Sequence, residues 1–228
     1  MKYRKLWVGL AVVVAASFAV LGYYGWEIYR QAPPLPARVV TTDGDVVYTG
    51  DQIKDGQNTW QSMGGQEVGS VWGHGAYVAP DWSADWLHRE ATWLLDHWAQ
   101  AEQQTSYESL DAERQAALRA RLQKELRTNT YDAETGDIVI SPLRAQAIAA
   151  VADHYIRLFG DDPEFNELRD AYAIPRNSLK SDERKLAITG FFFWASWACV
   201  TNRPGSDFTY TQNWPAEPLV ANEPTASI

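Results

Sequence analysis

The sequence predicts a mainly α protein: one N-terminal transmembrane helix, then an exported helical domain with a small β-hairpin insertion. Three observations predict it. Nineteen residues from Leu6 to Tyr24 run without a charge, and Ser17 is the only markedly polar one. Gln31-Ala-Pro-Pro-Leu-Pro36 follows as a stiff linker, because each proline fixes φ and disfavours helix in the residue before it. Beyond it, apolar side chains recur at helical spacing, most clearly Leu87, Ala91, Leu94 and Trp98. A chain of 228 residues holds one ordinary domain plus an anchor, so a single core is expected.

The anchor is expected over residues 1–30. At 1.5 Å per residue its uncharged run makes roughly 28 Å of helix, close to the hydrocarbon thickness of a bilayer. Lys2, Arg4 and Lys5 precede the run and Tyr23, Tyr24, Trp26 and Tyr29 follow it, which predicts a cytoplasmic amino terminus and an exported remainder. A cleaved signal peptide is the competing reading. The run exceeds the usual apolar core of about 7–15 residues, and no small-x-small site lies just beyond it, so a retained anchor is favoured.

The linker spans residues 31–37 and the exported domain 38–215. Val39 to Tyr48 is rich in β-branched residues and broken by Asp43-Gly44-Asp45, a short hairpin. A helix is expected from Gly50 to about Trp60 with Asp51 as its N-cap, and another from Trp82 to about Gln103 capped by Asp81. Ser109 to Arg127 is a charged helix with a thin seam of Leu110, Leu118, Leu122 and Leu126. Thr128 to Ile140 reads as strand, turn and strand. Ser141-Pro142 starts a helix that runs to Phe159, with Gly160 as its C-terminal cap. A short acidic helix is expected over Pro163 to Tyr172 and the last over Ser181 to Val200. Leu186 to Val200 is apolar nearly all round. At about 22 Å it is short for a span, which favours a buried core helix over a second crossing.

Without Lys2, Arg4 and Lys5 the chain has 17 basic and 29 acidic residues, a net charge of −12 that would repel nucleic acid. No nucleic-acid partner is expected. The one cysteine, Cys199, rules out an internal disulfide framework. His74, His88, His97 and His154 offer no i,i+4 ligand pair, and the spacing of nine positions from His88 to His97 puts them on opposite sides of a helix. They read as surface or interfacial histidines. Nucleophile elbows, phosphate-binding loops and paired zinc motifs are absent. Eleven tryptophans, dispersed through the helices, point to core and docking surface rather than to a sugar platform.

Trp60 to Asp81 reads WQSMGGQEVGSVWGHGAYVAPD, which has the frame of a haem-attachment loop. A covalent c-type haem needs C-x-x-C-H, two thiols for the vinyl groups and a histidine for the iron. The loop has neither thiol. Glu67 lies among its glycines, either as a solvated acid or beside a polar channel, with His74 and Tyr77 nearby as further channel or docking candidates.

The segments from Tyr48 to Trp82 and from Phe191 to Thr225 resemble the amino-terminal part of the single-chain, quinol-dependent nitric oxide reductases. In that family the region is similar to the cytochrome c subunit of the two-subunit reductases, whose pattern is a tryptophan, C-x-x-C-H, then G-x-G-A-Y-x-A-P and an acid. Aligned from Trp60 to Gly73–Asp81, the cysteine positions fall on Gly65 and Val68 and the histidine position on Gly69.

The resemblance implies a haem-less, cytochrome c-like helical domain, periplasmic and anchored in the bacterial inner membrane. Residues 216–228 would connect it to a multi-span catalytic domain. That domain would carry haem b, haem b3 and non-haem iron and reduce two NO to nitrous oxide and water with quinol electrons. No cofactor, metal or catalytic residue is expected in this segment; its partners would be the catalytic domain and membrane lipid. The rival readings are a membrane-anchored sensor or binding domain and a stand-alone extracytoplasmic enzyme.

Overall fold

The computed structural model describes residues 3–224. Lys2 of the basic flank and residues 225–228 of the expected connector lie outside the described residues. Two compact units divide the chain, the first ending at Pro34 and the second beginning at Leu35.

The first unit is helix α1, Arg4–Gln31, none of whose residues is buried. Among the described residues it is the one helix long and apolar enough to cross a membrane. It continues past the uncharged run through Glu27 and Arg30, which pair one turn apart at 2.7 Å. Ala32 turns extended and ends it, as a residue before proline does.

The second unit opens with a hairpin of β1, Arg38–Thr41, and β2, Val46–Thr49, paired antiparallel with an irregularity at Val39/Val40. Helix α2, Gly50–Ser62, follows at once. Its N-cap is Thr49, not Asp51: the Thr49 hydroxyl accepts from Gln52 N at 3.2 Å and Gln52 Oε1 accepts from Thr49 N at 2.9 Å. The reciprocal box satisfies two orphan N–H groups, where a cap at Asp51 would satisfy one. Asp51 falls in the first turn, where its charge suits the helix dipole.

Helix α3, Trp82–Gln103, is capped by Asp81. Helix α4, Ala112–Arg127, starts later than expected, because Tyr107–Ser109 forms a 3-10 turn and Asp111 supplies the cap. Its leucine seam is buried, at Leu118, Leu122 and Leu126.

Of the two strands expected in 128–140, only β5, Asp137–Ile140, forms, and it pairs parallel with β1 rather than in a local hairpin. The other arm shrinks to a bridge between Tyr131 and Ile138. Asn129 Oδ1 takes the Tyr131 N–H and Asp132 Oδ1 takes the Glu134 N–H, so side chains divert the backbone groups a strand would use.

Helix α5, Pro142–Phe159, has Ser141 as N-cap and Gly160 at its C-cap. The acidic segment divides into a 3-10 turn, Pro163–Phe165, and α6, Asn166–Ala171.

Helix α7, Asp182–Val200, is capped by Ser181 and is the centre of the unit, packing on α2, α3, α4 and α5. Every residue from Ala187 to Val200 except Trp194 is buried, so this apolar helix is a core element and not a second crossing. Against α2 the backbones nearly touch: a Cβ on Gly56 would lie 2.0 Å from the Ala187 carbonyl oxygen. Only glycine fits there.

Candidate functional site

The loop from Trp60 to Asp81 is built around one carboxylate. Asp81 Oδ1 accepts from the backbone N–H of Ser83 at 3.1 Å and Ala84 at 3.0 Å, and from the Ser83 hydroxyl. Its Oδ2 accepts from Ser70 Oγ and from Gly73 N, each at 2.8 Å. The N-cap of α3 thus also ties down the loop in front of it. Ser70–Val71 (β3) pairs antiparallel with His74–Gly75 (β4), and Trp72, at φ 55° between them, donates its indole N–H to Ala195 O at 2.9 Å on α7. Loop, α3 and α7 form one unit.

Beneath the loop lies Trp82, fully buried and stacked on Phe192 at 5.2 Å with planes 8° apart. Tyr155, Phe159 and Tyr172 meet it edge-on or tilted at 5.7–6.3 Å. Gly69 faces this cluster at φ 141°, and a Cβ there would sit 2.5 Å from Trp82 Nε1 and 2.9 Å from Pro80 O. No side chain fits at position 69 without moving a buried indole.

The family model for the cytochrome c-like domain of NorB, a nitric oxide reductase component, matches residues 36–216. The chain belongs to this family. It is a relative of an oxidoreductase component, and its fold is a mainly helical cytochrome c-like domain behind an apolar N-terminal helix. A comparison with curated proteins returns no match.

A cytochrome c-like domain implies haem, and the residues of this member do not fit a covalent one. Gly65 has open space where a first thiol would stand, yet its φ is 55°. Val68 is half-buried, packed against the core. At Gly69 the axial imidazole would project into the indole of Trp82. Cys199, buried in α7, is no substitute, since burial pushes its thiol up to about 12 and keeps it protonated.

Glu67 ends the 3-10 turn Gly65–Glu67, His74 lies in β4, and Tyr77 stands 93% exposed. All three are exposed, so the loop presents them to solvent or to a partner. What the sequence did not reveal is the linking role of Asp81, whose partners Ser70, Gly73 and Ser83 become legible only once the loop folds back on the helix.

The histidines also regroup. His88 and His97 flank one groove between α3 and α5, a space of about 770 Å³ also lined by Arg89, Trp93 and His154. His88 Nδ1 lies 2.8 Å from Glu217 Oε2, and His97 stacks on Trp93 at 5.0 Å. Among the described residues no group of three histidines, cysteines or acids is placed to hold a metal ion.

His154 meets Tyr155 and Phe165 edge-on, and its Nε2 is buried without a partner. Burial first, then the Arg89 charge, hold its pKa down at about 4. The unfolded chain takes up this proton near the ordinary histidine value of about 6.5, so the folded state loses stability as pH falls through that window toward 4. We expect a loss of about 1–2 kcal/mol, reduced from the full shift because the ring is partly solvated. In His154→Phe the melting temperature between pH 7 and 4.5 should fall less than in the parent chain. Equal falls in both would show that another group is responsible.

Proposed function

We propose that this chain is the membrane-anchored, extracytoplasmic amino-terminal portion of a quinol-dependent nitric oxide reductase, acting as structural cap and docking domain with no covalent haem of its own. The observation that carries this reading is the attachment frame at Gly65, Val68 and Gly69, which lacks every haem-bonding side chain and is packed against Trp82 at the ligand position. What the frame retains is shape. The Asp81 ties and the Trp72 anchor hold a rigid loop whose tip, Tyr77 and Val78, is apolar and exposed. Tyrosine at such a tip suits a partner surface, since it buries large area at low conformational cost.

In this reading α1 lies in the bacterial inner membrane with its amino terminus cytoplasmic, and residues 216–228 lead into a multi-span domain that holds haem b, haem b3 and the non-haem iron. The chemistry, reduction of two NO to nitrous oxide and water by quinol electrons, belongs to that domain. The cap covers its outer face and keeps bulk water from the buried site. Glu67, His74 and Tyr77 are docking residues.

Deleting residues 37–215 from the complete reductase tests this. We expect loss of haem content in the membrane-embedded part, or turnover reduced about a hundredfold or more, as misplacing a catalytic assembly by an ångström can cost that much. Full turnover with normal haem content would remove the cap from the mechanism.

A further inference from the structure

After α7 the chain folds back onto the second unit. Isolated bridges join Asn202 to Thr209 and Glu217 to Asn222, Val220 is fully buried, and Asn222 is nearly so. Residues 216–222, which the sequence assigned to the connector, therefore belong to the fold. Three helices hold them. His88 Nδ1 on α3 meets Glu217 Oε2 at 2.8 Å, while Glu217 Oε1 accepts the Leu219 N–H at 3.1 Å. At the end of α7 the Cys199 carbonyl accepts from Asn222 Nδ2 at 2.9 Å. The widest grip comes from Arg127, the last residue of α4.

Arginine presents its N–H donors in a rigid planar fork, and here both arms of the fork close on the returning chain. Arg127 Nη1 donates to Asn222 Oδ1 at 2.7 Å and to the Val220 and Ala221 carbonyls at 3.3 Å each. Its Nη2 donates to the Asp207 carbonyl and to Asn213 Oδ1, at 3.1 Å each. Every one of these acceptors is a neutral oxygen. Asn213 is itself fixed, since its Oδ1 accepts the Thr209 N–H at 3.2 Å and its own N–H goes to Thr209 Oγ1 at 2.7 Å. The Arg127 carbonyl accepts the Asn202 N–H at 3.0 Å, so one residue holds the returning segment at both ends. Its charge also suits the last turn of α4.

We propose that Arg127 locks residues 207–222 as a strap across the ends of α4 and α7, and that the lock fixes the place from which the chain continues past Asn222. Without the guanidinium, five oxygens of the strap lose their common donor, and the strap loosens while the helices beneath it stay packed. The functional side rests on the reductase reading: a strap without slack sets the cap on the multi-span domain, which makes Arg127 a positioning residue.

Hydrogen exchange of the full chain in neutral detergent, read by mass spectrometry, tests the lock independently of that reading. In Arg127→Ala, peptides from 207–222 should exchange about tenfold faster while those of α2 and α3 keep the parent rates. Millimolar guanidinium should restore protection by refilling the space between the same oxygens. Arg127→Lys keeps the charge at the helix end but cannot span both sets of acceptors, so it should melt with the parent and still exchange faster in 207–222. Arg114→Ala, at the other end of α4, should change nothing. Parent rates in 207–222 for both Arg127 variants, or acceleration shared equally by α2 and α3, would overturn the lock. In the complete reductase, Arg127→Lys should lower turnover roughly tenfold at unchanged haem content. Faster exchange with full turnover would overturn the positioning role and leave the lock standing.

Discussion

Replacing Glu90 by alanine is expected to destabilise the second unit by about 3–5 kcal/mol, because the change leaves a guanidinium in the core without its counter-charge. Glu90 and Arg144 are 1% and 2% exposed, and Nε of the arginine lies 2.7 Å from Oε1. The second carboxylate oxygen accepts the Trp86 indole N–H at 2.9 Å. Alanine at 90 therefore strands a charge and a polar hydrogen together, on a helix whose buried neighbours Trp86, Leu87, Ala91 and Leu94 are apolar. A domain of this size has only about 5–15 kcal/mol of net stability, so the variant should be near unfolding at room temperature. Glu90→Leu combined with Arg144→Met removes both charges and should recover most of the loss. Chemical denaturation of the three chains checks this. A single variant less than about 1 kcal/mol below the parent would mean that the pair is solvated in the folded protein.

The second large effect is expected at Gly69. Histidine there should cost about 3–5 kcal/mol, from a left-handed backbone that side chains rarely adopt and from overpacking against Trp82. Gly65 is the internal control. It belongs to the same frame and also has a positive φ, but nothing lies within 4 Å of its Cβ position, so Gly65→Ala should cost only about 1 kcal/mol. The contrast separates crowding by the indole from a general intolerance of the loop. Thermal unfolding of both variants measures it, and equal costs would show that Trp82 does not guard position 69.

Much of this architecture was legible in the sequence where a local signal coincided with the tertiary demand. Asp81 before Trp82, Ser141 before Pro142 and Ser181 before Asp182 each cap the helix that the apolar spacing predicts. The apolar run from Leu186 was readable as a core helix from its length. Signals that compete or act at a distance were harder. Thr49 and Gln52 carried a capping box in plain sight, but Asp51 offered a second cap two residues later. The pairing of β5 with β1 joins Arg38 to Asp137 across most of the domain, and the ion pair between these two side chains at 2.6 Å has no trace in local pattern. His88 and His97 lie on opposite sides of α3, as the nine-residue spacing requires; that one groove is wide enough to reach both depends on where α5 lies. In the loop, the missing cysteines were visible at once, but the indole filling the histidine position was not, since Trp82 is a helix residue beyond the motif.

Under the proposed function, this member keeps the cytochrome frame as a packed docking element without covalent haem. Expression of the full chain alongside a covalent haem-attachment apparatus, followed by intact-mass and absorbance measurement of the purified protein, tests it most directly. The mass of the bare polypeptide and no Soret absorbance are expected. A haem-adduct mass, or a Soret band that persists through purification, would contradict it.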